Sequence, residues 1–184
     1  MFEMIFYGRG GQGCLVASKI LASALFQSGK HVQAFPAFGG ERRGAPVKAF
    51  LRTDEKTIRR RSMIYKADYA IVFDETLLEE IPIQKEVKGD SLFLINSSNP
   101  IEHFKKIKAN RICTIDANAI ARDMSLGTPT APIVNTIILG AFTRFSGLVD
   151  IKLLSEGIKK YIETKPEINI AGAVRAYEEI NAMD

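Results

Sequence analysis

Two hydrophobic rhythms divide this chain. Through residue 116 the apolar residues come in short runs, each closed by a glycine, a proline or a polar side chain. Met4-Ile5-Phe6-Tyr7 is followed at once by glycines, so it predicts a buried strand. Gln12 to Ser28 carries Val16, Ile20 and Ala24, and Leu21 and Leu25, at four-residue spacing with Gly29 as a stop, which predicts a helix. His31 to Phe38 reads as a second strand whose Pro36 marks an end or an edge. Val47 to Leu51, Tyr69 to Asp74, Ser91 to Ile95 and Ile112 to Ile115 are further strands, the last three closing at or beside Asp74, Asn96 and Asp116. The final third changes period. Ile133, Val134, Ile137, Ile138, Ala141, Phe142 and Phe145 trace one helical face, with 128–132 (Thr-Pro-Thr-Ala-Pro) as its start signal. Ile151, Leu154, Ile158, Tyr161 and Ile162 trace another, and Ile168 to Ile180 suits a third.

Strands alternating with helices, then helices alone, predict an α/β fold. The expected form is Rossmann-like with three layers, a mostly parallel or mixed sheet and a helical C-terminal third. At 184 residues the chain suits one domain spanning 1–184. No apolar run approaches the ~20 residues of a membrane span, and no signal-peptide pattern opens the chain. Cys14 and Cys113 are the only cysteines. That fits a reducing cytoplasm, excludes a disulfide framework and is too few for a self-contained iron–sulfur cluster, which takes about four thiolates. The net charge of +4 is unevenly placed: between Glu41 and Lys66 nine Lys/Arg face three Asp/Glu, and elsewhere sixteen face eighteen. One segment therefore carries the whole excess and suits phosphate, carboxylate or an acidic partner, unless it is simply a solvated face. Nothing in this pattern calls for nucleic acid.

After the first strand comes Gly8-Arg9-Gly10-Gly11-Gln12-Gly13-Cys14. Gly8, Gly10 and Gly13 match G-x-G-x-x-G, in which backbone N–H groups and a helix start face a phosphate. An NAD site also needs an acid at the end of the second strand for the ribose. Here that strand ends Ala34-Phe35-Pro36-Ala37-Phe38, and Glu41 arrives only within the arginine loop. The pattern alone fits a tight strand–helix turn better than a dinucleotide site.

Three segments taken together are more specific: GRGGQGCLVASKILASAL from Gly8, FGGERRGAPVKAFLRTDEKTIRRRSMIYKADYAIVFDETLLEE from Phe38, and APIVNTIILGAFTRFSGLVDIKLLSEGIKKYI from Ala131. They resemble the gamma subunit of 2-oxoacid:ferredoxin oxidoreductases of the pyruvate/2-oxoisovalerate branch, over nearly the whole chain. The Glu41-Arg42-Arg43-Gly44-Ala45-Pro46 run separates that branch from the indolepyruvate and 2-oxoglutarate relatives. The resemblance implies a subunit of an enzyme that oxidatively decarboxylates a 2-oxoacid, with pyruvate the expected one, forms an acyl-CoA and reduces ferredoxin. It implies alpha and beta chains that bind thiamine diphosphate, and a ferredoxin-like delta chain with [4Fe–4S] clusters. This chain has no thiamine-diphosphate motif and too few cysteines, so it is expected to hold neither cofactor and to be inactive alone. The alternatives are a free-standing Rossmann-type dinucleotide- or CoA-binding protein, or the corresponding subunit of an indolepyruvate or 2-oxoglutarate enzyme. Exposed subunit-contact patches would also permit a homodimer in isolation.

The candidate binding residues are Gly8, Gly10, Gly11, Gln12 and Gly13 in the turn, and Arg42 and Arg43 in the loop. Two guanidiniums on a glycine-flanked loop suit CoA phosphates or an acidic subunit surface, and an ion pair with Glu41 is the competing reading. No catalytic residue and no metal ligand is expected. Arg59-Arg60-Arg61 fits a subunit interface or a solvated face. Cys14 reads as a small packed residue rather than a nucleophile, and His31 and His103 as surface or hydrogen-bonded histidines rather than ligands or catalysts. Asp74 suits a ligand group at a strand end or a local cap equally. Asn135 and Gly140, on the long helix, read as packing or interhelical hydrogen bonding.

Overall fold

The computed structural model describes residues 1–37 and 42–182, the last two by backbone only. Its centre is β1 (Phe2–Arg9), an eight-residue strand in which Met4, Ile5, Phe6 and Tyr7 are all fully buried. Alternate side chains point to opposite faces of a strand, so four consecutive buried residues require cover on both faces. The two apolar cores show that cover. Met4 and Phe6 enter one, and Ile5 and Tyr7 the other.

The chain continues through α1 (Cys14–Gln27), β2 (His31–Pro36), β3 (Pro46–Asp54), β4 (Ala67–Val72), α2 (Leu77–Glu80), β5 (Val87–Asn96), β6 (Arg111–Ile115) and α3 (Ala117–Asp123). A two-residue hairpin follows, β7 (Gly127–Thr128) and β8 (Ala131–Pro132). Then come α4 (Asn135–Ser146), α5 (Ile151–Tyr161), α6 (Pro166–Glu179) and β9 (Asn181–Ala182). The main sheet runs β2-β3-β1-β4-β5-β6-β9. Strands β1, β4, β5 and β6 pair in parallel, while β3 with β1, β2 with β3 and β9 with β6 are antiparallel. The sheet is therefore mixed, a parallel centre flanked by antiparallel edges.

The two covering layers differ. The C-terminal helices and α1 cover the face carrying Met4, Phe6, Leu51, Ile71 and Leu94. Helix α4 is wrapped nearly all round: Asn135 through Thr143 and Phe145 are buried, the signature of a helix with neighbours on every side. Short pieces cover the other face, with Ile64, Leu77, Ile83 and Phe104 packing on Ile5, Phe50, Val72 and Phe93.

Several boundaries move from the sequence reading. The first helix begins at Cys14, not Gln12, because Gly11 and Gly13 have φ of 101° and 79° and hold the chain outside the helical region. The second strand ends at Pro36 and the fourth at Val72, and Phe38 lies outside the described residues. Residues 128–132 are not a helix start but the small hairpin β7–β8. Among the described residues no helix is long and apolar enough to cross a membrane.

Candidate functional site

Strand β1 delivers the glycine turn to the sheet's upper end, where the parallel strands finish. Arg9 N donates to Gln12 Oε1 at 2.8 Å and Gln12 N to Arg9 O at 2.9 Å, so Gln12 closes the turn on itself. Gly13 then adopts the left-handed conformation as the N-terminal neighbour of α1. A Cβ on Gly13 would stand 2.6 Å from Asn135 Nδ2 and displace that amide, and the φ of 79° is one that only glycine adopts without strain. Gly10 serves a second contact. Its N–H donates to Ala45 O at 2.9 Å, its carbonyl accepts from Gly44 N at 3.1 Å, and an added Cβ would overlap the Arg42 carbonyl oxygen. The arginine loop is thus zipped onto the glycine turn through backbone bonds.

This arrangement opens on a cleft of about 780 Å³, within the size range of small-molecule sites. Gly10, Gly11, Gln12, Gly13 and Arg43 line one wall. The hairpin end at Ile133 and Asn135, and the α5–α6 connection from Tyr161 to Lys165, line the other. The first intrahelical bond of α1 runs from Ala17 N to Gly13 O, so the earlier N–H groups of that helix end have no intrahelical acceptor, and Gly13 and Val16 lie on the cleft. Two cations, Arg43 and Lys165, and one carboxylate, Glu163, stand among the lining residues. Val16, Ile133 and Tyr161 there are three of the large apolar side chains this protein leaves exposed. The wall thus combines donors and cations suited to anionic oxygens with apolar surface suited to a ring or an alkyl chain.

The structure unites Gly10 to Gly13 with Arg43 on the cleft. Gly8 lies behind them, where an added Cβ would overlap Cys14 Sγ, and Arg42 contributes its backbone to the turn while its side chain is exposed. Glu41, the proposed ion-pair partner of the arginines, is outside the described residues. Cys14 is buried at 3% exposure, in keeping with a packing role. His31 and His103 are exposed.

Arg9, which the sequence reading passed over, clamps the turn from outside. Its guanidinium donates to Asp74 Oδ2 at 2.8 Å, to Thr76 Oγ1, to Gly44 O at 3.3 Å and to both oxygens of Glu80. Asp74 Oδ1 meanwhile accepts from Thr76 N at 3.1 Å and from the Thr76 hydroxyl at 2.6 Å. Asp74 thereby closes a side-chain turn onto Thr76 and anchors Arg9, while α2 itself has Thr76 as N-cap and no side-chain cap bond. Burial alone would raise the Asp74 carboxyl, but the bonds from Thr76 and Arg9 outweigh it and hold the pKa below its ordinary value. The bond from Arg9, assisted by its charge, likewise lowers Glu80. A lowered folded pKa means that the ionised Asp74 stabilises the fold above about pH 4, and that this support is lost as pH falls through the folded value. Asp74→Asn is therefore expected to melt below the parent at pH 7, with the gap closing below about pH 4. Melting curves from pH 3 to 7 check this; a gap that stays constant with pH would contradict it.

The topology also explains the missing ribose acid. In a dinucleotide fold the second strand lies directly beside the first. Here β3 is inserted antiparallel between β1 and β2. With strands about 4.8 Å apart, the end of β2 is about 10 Å from β1 rather than adjacent. An acid there would sit a full strand too far from the glycine turn.

A glycine turn joined to an arginine loop, on a mixed α/β sheet with β3 inserted, defines a Rossmann-like subunit fold distinct from the NAD-binding one. The chain belongs to the pyruvate ferredoxin/flavodoxin oxidoreductase family, whose model matches residues 3–179. It is 44% identical to pyruvate synthase subunit PorC of Methanothermobacter thermautotrophicus, over all of this chain and 98% of that protein. It is 41% identical, over the full length of both, to the common gamma subunit of the pyruvate/ketoisovalerate oxidoreductases of Pyrococcus furiosus. The crystal structure of pyruvate oxidoreductase subunit PORC from Thermotoga maritima superposes with a TM-score of 0.82 at 34% identity, covering 100% and 98% of the two chains. The 2-oxoglutarate:ferredoxin oxidoreductase of Magnetococcus marinus, solved with 2-oxoglutarate, coenzyme A and succinyl-CoA bound, shares the fold at a TM-score of 0.72 and 18% identity. It matches 97% of this chain but only 30% of its own. The same fold therefore occurs both as a separate subunit and as part of a longer chain.

Proposed function

We propose that the whole chain, as one unit, is the gamma component of a pyruvate-type 2-oxoacid:ferredoxin oxidoreductase and that its cleft receives the phosphates of CoA. Alpha and beta chains would hold thiamine diphosphate, and a ferredoxin-like delta chain the [4Fe–4S] clusters that pass electrons to ferredoxin. The full-length identity to gamma subunits supports the assignment to an assembly. The observation that carries the cleft reading is the joining of the glycine turn, the start of α1 and Arg43 along one wall. CoA would supply the thiol that accepts the acyl group.

In this reading the chain binds and orients and moves no proton. The N–H groups at the helix start and the Arg43 guanidinium face the phosphate oxygens. Lys165 adds a second cation across the cleft, and Glu163 limits how much negative charge the site tolerates. Val16, Ile133 and Tyr161 offer apolar surface to the organic part of the ligand.

Each charge-assisted bond is worth about 1.5–3 kcal/mol, which is roughly tenfold to a hundredfold in affinity. In the assembled enzyme Arg43→Ala and Lys165→Ala are each expected to raise the apparent KM for CoA by at least about tenfold, and Arg42→Ala, whose side chain lies off the cleft, by much less. The KM for pyruvate should stay near the parental value. Steady-state kinetics with each substrate varied decide this, with native mass spectrometry confirming assembly. Variants that assemble and keep the parental CoA dependence would make the loop structural and overturn the cleft assignment.

A further inference from the structure

The opposite end of the sheet carries a second surface with different chemistry. The glycine turn leaves the C-terminal end of β1. The connection from β3 to β4, residues 55–66, lies at the other end, because Phe2 pairs with Thr53 and Arg9 with Pro46. The two surfaces therefore cannot merge into one site.

The 55–66 connection is held in an unusual way. Between the two strands, among the described residues, no turn or loop backbone–backbone hydrogen bond holds it. Side chains pin it from the sheet instead. Arg52 Nη2 donates to Ser62 O at 2.6 Å, and Gln33 Nε2 to Ile58 O at 3.2 Å. Arg52 is fully buried and pairs with Glu3 through Nε at 2.7 Å. Ile64 plugs into the lower core at 4% exposure. Lys66 Nζ closes the segment on Lys85 O at 2.8 Å.

What the pinned segment displays is specific. Arg59, Arg60 and Arg61 are all exposed. Arg60 reaches Glu3 at 3.6 Å with 54% of its side chain exposed. Arg59 and Arg61 pair with no carboxylate among the described residues. Tyr65 beside them is 71% exposed, and Met63, Met1 and Phe2 at the same sheet end are exposed too. Exposed arginines are ordinary, but a cluster of exposed large apolar side chains rimmed by charge marks an interaction site. Arg, Tyr and Met are the side chains enriched where proteins meet. The large exposed apolar residues thus gather at the cleft and at this end, with Phe26 apart on α1.

We propose that residues 59–66, with Phe2, form a docking surface for an acidic, partly apolar face of another subunit of the oxidoreductase. The charge supports a protein partner of opposite sign: this stretch belongs to the segment that holds the chain's entire positive excess. Long-range attraction between such faces speeds encounter and weakens with salt. Docking here leaves the cleft open to ligand at the far end of the sheet.

The inference rests on the gamma-subunit reading, and one experiment separates the two. The tagged full-length chain is titrated with its co-purified partner subunits, followed by light scattering and native mass spectrometry, at 50 and 300 mM salt. The unaltered chain is expected to assemble, more weakly at high salt. Arg59→Glu/Arg61→Glu and the milder Arg59→Ala/Arg61→Ala are expected to bind at least tenfold more weakly and to lose most of the salt dependence. Tyr65→Ala should weaken binding without changing the salt dependence. All three should keep the parental melting temperature, since the altered side chains are exposed. If the unaltered chain assembles and both arginine pairs assemble with parental affinity, the docking surface is wrong and the gamma reading stands. If the unaltered chain does not assemble, both fall. If the arginine variants abolish self-association of the isolated chain and leave assembly intact, the surface belongs to a second copy and the proposal is overturned.

Discussion

Arg52→Leu is expected to destabilise the protein by about 3–5 kcal/mol, because it removes one member of a buried ion pair. Glu3 is 7% exposed, and after the change it would retain, among the described residues, an ion pair with Arg60 alone, at 3.6 Å. The same substitution breaks the bond to Ser62 O that pins the 55–66 segment, and the contact of the guanidinium with the Phe35 ring. At about 2–4 °C per kcal/mol for a chain of this size, the melting temperature should fall by about 6–20 °C. The double variant Glu3→Leu/Arg52→Leu leaves no orphaned charge, and replacing both ions by apolar groups is often neutral. It should therefore recover much of the lost stability while the segment stays unpinned. Calorimetry on the three proteins checks the pattern. A double variant no more stable than Arg52→Leu would show that the cost is not an uncompensated buried charge.

Gly140→Ala is expected to cost about 3 kcal/mol in packing, only partly offset by the ~1 kcal/mol by which alanine favours a helix over glycine. Helices α4 and α6 approach so closely that a Cβ on Gly140 would overlap the Ala173 carbonyl oxygen and approach its Cα to 2.7 Å. The obstacle is backbone, so no side-chain rotation relieves it. A net loss of about 2 kcal/mol corresponds to about 4–8 °C in melting temperature. The change should also reach the cleft, because α4 begins at Asn135, against Gly13, and α6 begins just after Lys165. A rise in the KM for CoA should accompany the thermal shift. A variant that melts within about 1 °C of the parent would contradict the close approach of the two helices.

Much of the parallel centre was legible in the sequence. Four consecutive apolar residues at the start of β1 demanded two-sided cover, and the glycines after them demanded a turn. The order of the sheet was not legible, because no local pattern in Val47 to Leu51 reveals that the strand inserts antiparallel between β1 and β2. That single pairing moves the end of β2 and so changes what the glycine turn can bind. Helix α3, at seven residues, is too short to show a helical period in the sequence, although it carries a cap residue: Asp116 accepts from Ala119 N at 2.8 Å. In the candidate site, the turn and Arg43 were found from local motifs. Lys165, Glu163 and Ile133 were not, since they reach the cleft from segments more than a hundred residues beyond the glycine turn. Lys165 also adopts a left-handed conformation, with φ of 51°, that its sequence neighbours do not announce. Arg9 was hidden because it sits inside the glycine motif, where its contacts come from Asp74, Thr76 and Glu80 across the sheet's end.

The central claim is that this chain completes a multi-subunit oxidoreductase and does no chemistry alone. The most direct test is pyruvate- and CoA-dependent reduction of a viologen dye by purified partner subunits, with and without this chain. The account predicts no reduction by the chain alone, little CoA-dependent turnover by the partners without it, and full turnover once it is added in equimolar amount. Turnover by the isolated chain, or partner subunits equally active without it, would contradict the account.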